Sequence, residues 1–137
     1  MAFFDWNPEL ETRFPVVDEQ HRFLVGLVNE FYDALHSGQA REMVGGVLGR
    51  LAEYAGSHFA CEERLMVETS YPGFAAHKRE HEALTSQVVK LLEEFHRTDQ
   101  ALSVKVGFFL RDWLMNHILK TDKAMGAYLA THHQLSA

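Results

Sequence analysis

The chain has 137 residues, of which 47% are hydrophobic and 23% charged, so it is long enough for one domain with a buried core. Its formal net charge of −6 argues against binding to nucleic acid or to an anionic membrane surface. No apolar run approaches the roughly 20 residues of a membrane span, no signal peptide is evident, and a single cysteine excludes an internal disulfide, so we expect a cytoplasmic location. A monomer is the default expectation.

The first segment of the chain predicts an irregular N-terminal arm, residues 1–16. We expect Pro8 and Pro15 to break any helix there. Asp18 is predicted to cap a first helix over residues 18–37. The aromatic residues of the arm are expected to pack across the helices that follow: Phe3, Phe4, Trp6 and Phe14.

Three further helices are predicted after Gly38, which should end the first. Apolar residues recur at helical spacing, as in Phe23, Leu27 and Phe31. Asp99 is a candidate N-cap for the last helix. These helices are predicted over residues 40–68, 74–97 and 100–131. Helices of this length joined by short turns predict an all-α, up-down-up-down antiparallel four-helix bundle, in one domain covering residues 1–137.

Seven potential metal ligands form four groups, one on each predicted helix. In chain order the groups are a single histidine, H-x3-E, H-x3-H and H-x4-D. The chain has 9 histidines, which is more than a core of this size needs for packing. The candidate ligands are His21, His58, Glu62, His77, His81, His117 and Asp122.

The spacing of these groups from the predicted turns tests whether they meet. In an antiparallel bundle, residues equally far from a turn lie at the same height, because each residue rises about 1.5 Å. His21 and His58 lie about 17 and 20 residues from the first turn. Glu62 and His77 lie about 8 and 7 residues from the second turn, and His81 and His117 lie about 17 and 19 residues from the third. All four groups therefore reach a common level of the bundle.

The donor set divides naturally between two iron ions that alternate between Fe2+ and Fe3+. One iron takes three imidazoles and the other two, both carboxylates bridge, and an oxo or hydroxo group completes the bridge. The second iron then keeps an open position, where dioxygen binds as a ligand. The partition is His77, His81 and His117 for the first iron, His21 and His58 for the second, and Glu62 and Asp122 as bridges.

The last ligand group predicts a distorted helix. His117 and Asp122 are five residues apart, which places them about 140° apart around a regular helix. Both can face the same core only if the Asp122 side chain reaches sideways or the helix widens locally, as in a π-bulge. A regular helix from 117 to 122 would count against the assignment.

The motifs around the ligands resemble those of the hemerythrin family, in particular its bacterial members. They are D-E-Q-H at 18–21, H-F-A-C-E-E at 58–63, H-K-R-E-H at 77–81 and W-L-M-N-H-I-L-K-T-D at 113–122. The resemblance spans nearly the whole chain and implies reversible dioxygen binding at the open iron. It also implies an apolar pocket lined by Phe59 and Leu114, with Leu24 and Trp113 as further wall residues.

Three functions are compatible with such a site. The first is an oxygen carrier, store or supplier without enzymatic turnover. The second is a sensor of oxygen, redox state or nitric oxide that acts on a signalling partner. The third, a diiron oxidase or peroxidase, is disfavoured because ferritin-like oxidases use two E-x-x-H motifs and two further glutamates, whereas this chain has one E-x-x-H, at 93–96.

Several other residues leave alternatives open. Cys61, between two ligands, is expected to be a small buried residue rather than a ligand. Glu63 is either a hydrogen-bond partner of a ligand or a solvated charge, and Asp18 is a cap rather than such a partner. The remaining histidines are expected on the surface at helix ends: His36, His96, His132 and His133.

Overall fold

The computed structural model describes residues 3–38, 41–97 and 104–132. These residues contain helices and no strand, which confirms the all-α prediction. The helices are α1 (Pro15–His36), α2 (Arg41–Glu68), α3 (Phe74–Arg97), α4 (Val104–Asn116) and α5 (Lys123–His132), with a 3-10 turn at Pro8–Leu10 and a π-helical segment at His117–Asp122.

The last three helical segments form one continuous rod, because Asn116 and Lys123, which flank the π-helical segment, have right-handed helical backbone angles. The rod is the fourth helix of a four-helix bundle. Helix α1 packs against α2 and α4, and α2 packs against α3. No helix in the described parts of the chain combines the length and apolar character needed to cross a membrane.

The start of α1 corrects two predictions. The helix begins at Pro15, which occupies its first turn, where the missing N–H is not needed. Pro8 likewise begins the 3-10 turn rather than preventing one. Asp18 does not cap α1: its carboxylate accepts hydrogen bonds from the backbone N–H groups of Thr12 (2.8 Å) and Arg13 (3.2 Å) and from the Thr12 hydroxyl (2.7 Å). Asp18 therefore fastens the arm onto the first turn of α1.

The turns after α1 and after α2 lie near the positions predicted from the sequence. Gly38 follows α1 with φ +67°, a left-handed conformation that glycine adopts without strain. After α2, the N–H of Tyr71 donates to the carbonyl of Met66 (2.9 Å) and closes the turn before α3. Ala40 and Asp99, the latter predicted as an N-cap, lie outside the described residues.

The arm crosses the bundle as predicted. Phe4 is buried, and its backbone N–H and carbonyl are both hydrogen-bonded to the side chain of Asn29 (2.7 and 2.9 Å). Phe3 stacks on Tyr32 with 3.8 Å between ring centroids. Further along, a Cβ at Gly126 would lie 2.5 Å from the Thr12 carbonyl oxygen, so this glycine lets the arm lie directly on α5.

Two apolar clusters fill the bundle, one on each side of the level where the candidate ligands lie. The larger cluster includes Leu24, Phe31, Leu48, Val88 and Leu110. The smaller one closes the end near the α2–α3 turn and consists of Phe14, Val17, Leu65, Met66, Met125 and Leu129. A layer of buried polar side chains therefore lies between two apolar regions.

Candidate metal centre

The structure brings all seven candidate ligands together in that polar layer. Each is almost completely buried, with at most 3% of its surface exposed. Helix α1 contributes one, α2 and α3 two each, and the π-helical segment the remaining two. The seven are His21, His58, Glu62, His77, His81, His117 and Asp122. The common level expected from the turn spacing is thus present in the structure.

The donor atoms form two sets that share both carboxylates. In the first set, His77 Nε2 lies 3.3 Å from Glu62 Oε1 and 2.9 Å from Asp122 Oδ1. His81 Nε2 lies 3.0 Å from Glu62 Oε1, and His117 Nε2 lies 3.1 Å from Asp122 Oδ1. This set therefore contains three imidazole nitrogens and one oxygen of each carboxylate.

The second set uses the other carboxylate oxygens. His21 Nε2 lies 3.2 Å from Glu62 Oε2 and 2.9 Å from Asp122 Oδ2. His58 Nε2 lies 2.9 Å from Glu62 Oε2. This set has two imidazoles, one fewer than the first, so it is the set with room for a further ligand. The division matches the partition predicted from the sequence.

The arrangement of these atoms fits metal ions better than it fits hydrogen bonding. Two ligands about 2.1 Å from a metal and at right angles to each other lie about 3.0 Å apart, close to the separations in both sets. Six of the atoms are buried without a hydrogen-bond partner among the described residues: Nε2 of His77, His81 and His117, Oε1 of Glu62, and both oxygens of Asp122. Such atoms would each destabilise the fold by about 1–3 kcal/mol unless an ion satisfies them.

The electrostatics of the layer favour a cation. Burial alone would raise the pKa of Glu62, but His58 and His21 hold that pKa well below its usual range. Burial and Glu62 would raise the pKa of Asp122, but His117 and His21 lower it on balance. Both carboxylates are therefore ionised, and in the metal-free chain protons on neighbouring imidazoles balance their charge.

Three side chains outside the ligand set orient imidazoles through their Nδ1 atoms. Each partner is next to a ligand in sequence but bonds to a ligand on the following helix of the bundle. The pairs are Gln20 Oε1 with His58 (2.6 Å), Glu63 Oε2 with His81 (2.9 Å) and Glu80 Oε1 with His117 (2.7 Å). These hydrogen bonds link α1 to α2, α2 to α3, and α3 to the π-helical segment.

The sequence left the role of Glu63 open, and the structure favours the hydrogen-bond partner. Gln20 and Glu80 were missed. The available signal was their position one residue before His21 and His81, in a family of sites where imidazole ligands need a partner for the second nitrogen. Adjacency to a ligand alone does not say which neighbouring helix the side chain will reach.

The helix between the last two ligands is widened, as predicted. His117–Asp122 is π-helical, whereas the residues on either side are α-helical. The wider turn brings His117 and Asp122 to the same core face, with 3.1 Å between Nε2 and Oδ1. The side chains of a regular helix would diverge at this spacing.

An apolar cavity of about 90 Å³ lies beside the polar layer, separated from the imidazoles by aromatic rings of its lining. All four predicted pocket residues line it: Leu24, Phe59, Trp113 and Leu114. The Phe59 ring stacks on His81 at 3.9 Å, and the Trp113 ring stacks on His117 at 4.6 Å between centroids. In the lining that the structure describes, Thr85 is the one polar residue.

The remaining candidates lie away from the donor atoms. Cys61 packs beside the smaller apolar cluster and accepts a long hydrogen bond from Gln20 Nε2 (3.6 Å), so it is not placed as a ligand. His36, His96 and His132 are exposed at the ends of their helices, as expected. His133 lies outside the described residues.

Comparison with known proteins points to one family. The family described as hemerythrin HHE cation binding domain matches residues 12–129. A bacteriohemerythrin of Methylococcus capsulatus is 36% identical over 131 residues, covering 95% of this chain and 99% of the relative. One from Stenotrophomonas maltophilia is 36% identical over 132 residues, covering 96% of this chain and 85% of the relative. A crystal structure of wild-type hemerythrin, with 35% sequence identity, superposes with a TM-score of 0.90 over 95% of this chain and 100% of that chain.

Proposed function

The chain belongs to the hemerythrin family, and we propose that it is a non-heme diiron protein that binds dioxygen reversibly, as a carrier, store or supplier. One observation carries the proposal: two donor sets share both carboxylates, and the set with fewer imidazoles has room for a further ligand. When bound, two ferrous ions held by these seven side chains would supply the electrons and the open position that dioxygen binding requires.

The protein residues hold and orient the site. The two carboxylates bridge the donor sets, because Glu62 and Asp122 each offer one oxygen to each side. Three of the five imidazoles are oriented by hydrogen bonds at Nδ1. A partner at Nδ1 fixes which nitrogen faces the metal and raises the basicity of the imidazole.

The apolar cavity keeps water and proton donors away from the bound gas. Phe59 and Trp113 cover the faces of His81 and His117, and Leu24 and Leu114 complete the wall. A lining in which Thr85 is the one polar residue suppresses side reactions of a reactive ligand, because it offers few proton donors. This supports reversible binding over turnover, and we propose no enzymatic activity.

Two other functions of a diiron site are compatible with the sequence, and the structure disfavours one of them. The E-x-x-H motif ends at His96, and both Glu93 and His96 are exposed near the end of α3, away from the centre, which disfavours a ferritin-like oxidase. A sensor of oxygen, redox state or nitric oxide with a signalling partner stays the second candidate. Cytoplasmic location, a monomeric state and nitric oxide binding stay predictions.

The test is a visible spectrum of anaerobic, ferrous-loaded protein, recorded before oxygen, after oxygen and after purging. We expect two iron ions per chain and a charge-transfer band that appears with oxygen and disappears on purging. A band that converts quickly to a permanent ferric spectrum would favour sensing or oxidation instead.

Two histidine variants serve as a matched pair for this test. His117→Ala removes a buried donor and should abolish the reversible band. His36→Ala removes an exposed histidine that stacks on Tyr32 and should leave the band unchanged. Loss of the band in both variants, or in neither, would contradict the assignment of the donors.

A further inference from the structure

We propose that Glu80 is a positioning residue that holds the π-helical turn, and with it His117 and Asp122, in the geometry that both donor sets need. The inference concerns a residue outside the donor sets and rests on the proposed diiron function. Glu80 belongs to α3, whereas the turn that it contacts belongs to the fourth helix of the bundle.

One carboxylate contacts the π-helical segment at two points. Glu80 Oε1 lies 2.7 Å from His117 Nδ1, at the first residue of the segment. The Thr121 hydroxyl donates to Glu80 Oε1 (2.9 Å) and Oε2 (3.0 Å), next to its last residue. Glu80 therefore spans the widened turn from the neighbouring helix.

The π-helical turn needs stabilising contacts from a neighbouring helix, because it is an unfavourable local conformation. π-helical turns are rare within α-helices and occur mostly at functional sites. If this turn relaxed to a regular α-helix, Asp122 would rotate away from His117. Asp122 supplies one oxygen to each donor set, so both sets would lose a ligand at once.

The same carboxylate also sets the orientation of His117. An imidazole that donates from Nδ1 presents an unprotonated Nε2 on its opposite side. Here that side faces the three-imidazole set, 3.1 Å from Asp122 Oδ1, while Trp113 stacks on the ring at 4.6 Å. The His117 ring is thus fixed by stacking on one face and by a hydrogen bond at one edge, and Glu80 provides the hydrogen bond.

The carboxylate of Glu80 is accessible to mutation without opening the core, because its side chain is 46% exposed, whereas that of His117 is 2% exposed. In Glu80→Ala both contacts are lost. In Glu80→Gln the amide oxygen accepts from His117 and the amide NH2 donates to Thr121, so the link survives. Thr121→Val removes one contact and keeps the shape of the side chain. Glu82→Ala removes an exposed carboxylate from the same helix and is the matched control.

The experiment is an anaerobic titration with Co2+, which reports the ligand set through its visible absorption without any oxygen chemistry. Wild type and Glu82→Ala should bind two ions with one spectrum. We expect Glu80→Ala to bind them about 10–100-fold more weakly, with an altered spectrum. Thr121→Val should show a smaller loss, and Glu80→Gln should restore both affinity and spectrum.

The outcomes separate the two proposals. If wild type does not take up two ions, the proposed diiron function fails, whatever the variants do. If wild type binds two ions and Glu80→Ala binds them with unchanged affinity and spectrum, the positioning role of Glu80 is overturned. If Glu80→Ala does not fold, Thr121→Val decides between the outcomes. Unchanged Co2+ affinity and spectrum in Thr121→Val overturn the positioning role, and weaker Co2+ binding supports it.

Discussion

Two imidazoles show how the buried residues of the centre tune one another. Burial alone would lower the pKa of His21 and of His77, but the ionised carboxylates of Asp122 and Glu62, which lie 2.9–3.3 Å from the imidazole nitrogens, raise each pKa to about 9. Because these values exceed the ordinary 6.5, the protonated imidazoles stabilise the metal-free fold below about pH 6.5, and that stabilisation is lost as the pH rises through about 9.

Metal ions compete with those protons, so loading should depend on pH. Binding at pH 7 must displace protons from His21 and His77, because imidazole ligands bind metals in the neutral form. We expect metal affinity to rise between pH 7 and 9 and the number of protons released per chain to fall over the same range. Calorimetric titration in two buffers of different ionisation enthalpy measures both quantities. An affinity that does not change with pH would contradict the pKa values.

The cavity wall supports a second prediction at the level of single residues. Leu114→Asn places an amide in an apolar wall beside the centre, and we expect the reversible oxygen band to decay faster by at least about tenfold, since positioned proton donors commonly contribute 10²-fold or more. Val89→Asn is the control, because Val89 lines the outer part of the same cavity and is 45% exposed. Equal decay rates in the two variants would show that the lining does not protect the bound gas.

The convergence of the seven candidate donors was predictable from sequence, and the partners at their Nδ1 atoms were not. The seven donors follow from the spacing of groups around three turns, because helical rise converts sequence distance into height. Gln20 and Glu80 escaped prediction since a side chain next to a ligand points away from that ligand, and only the packing of the next helix decides what it meets. The prediction that Asp18 caps α1 was wrong for a similar reason, because its carboxylate accepts hydrogen bonds from the arm rather than from α1.

At the level of helices, two of the four glycines in α2 are predicted to respond in opposite ways to substitution by alanine. A Cβ at Gly45 would lie 2.5 Å from the Phe95 ring, whereas a Cβ at Gly49 would meet nothing within 4 Å. Gly49→Ala should therefore raise the free energy of unfolding by about 0.5–1 kcal/mol through helix propensity. Gly45→Ala should be less stable than Gly49→Ala by about 1–3 kcal/mol, because Phe95 must move.

Urea unfolding of the metal-free variants in one buffer measures this difference. Since both positions lie in the same helix, the propensity terms cancel and the comparison isolates the packing of Phe95. Equal stabilities would show that α2 and α3 approach less closely at this point than the structure has them. The contact at Gly45 indicates close packing of α2 against α3 at this point.

Helix periods explain why the bundle was predictable, and one local feature explains the error at the start of α1. The helical period of the apolar residues predicts four amphipathic helices, because each helix of a bundle must bury one face. The start of α1 was wrong because a proline in the first turn is read from sequence as a breaker, although it lacks only an N–H that the first turn does not use. The distortion at the π-helical segment was predictable only through the ligands, since side chains five residues apart diverge on a regular helix.

On the scale of the whole molecule, the bundle carries a polar layer between two apolar clusters. Buried polar groups without partners lower the stability of a fold, and the six unpartnered donor atoms all lie in this layer. Metal ions would satisfy them and would also connect all four helices of the bundle through one centre. Folding and metal binding should therefore be coupled.

This coupling predicts that removal of the metal lowers the thermal midpoint of unfolding. A ligand that binds only the native state stabilises it by about 2.7 kcal/mol when its free concentration is 100 times Kd. For a domain of this size, that corresponds to a rise of roughly 10 °C. Calorimetry of anaerobic Fe2+-loaded and chelator-treated protein measures the difference.

His58→Ala, which removes a donor from the two-imidazole set, should show a smaller rise, because one set is then incomplete. Identical midpoints with and without iron in wild type would mean that the layer is stable without a cation, and the donor atoms would then need another explanation for their convergence.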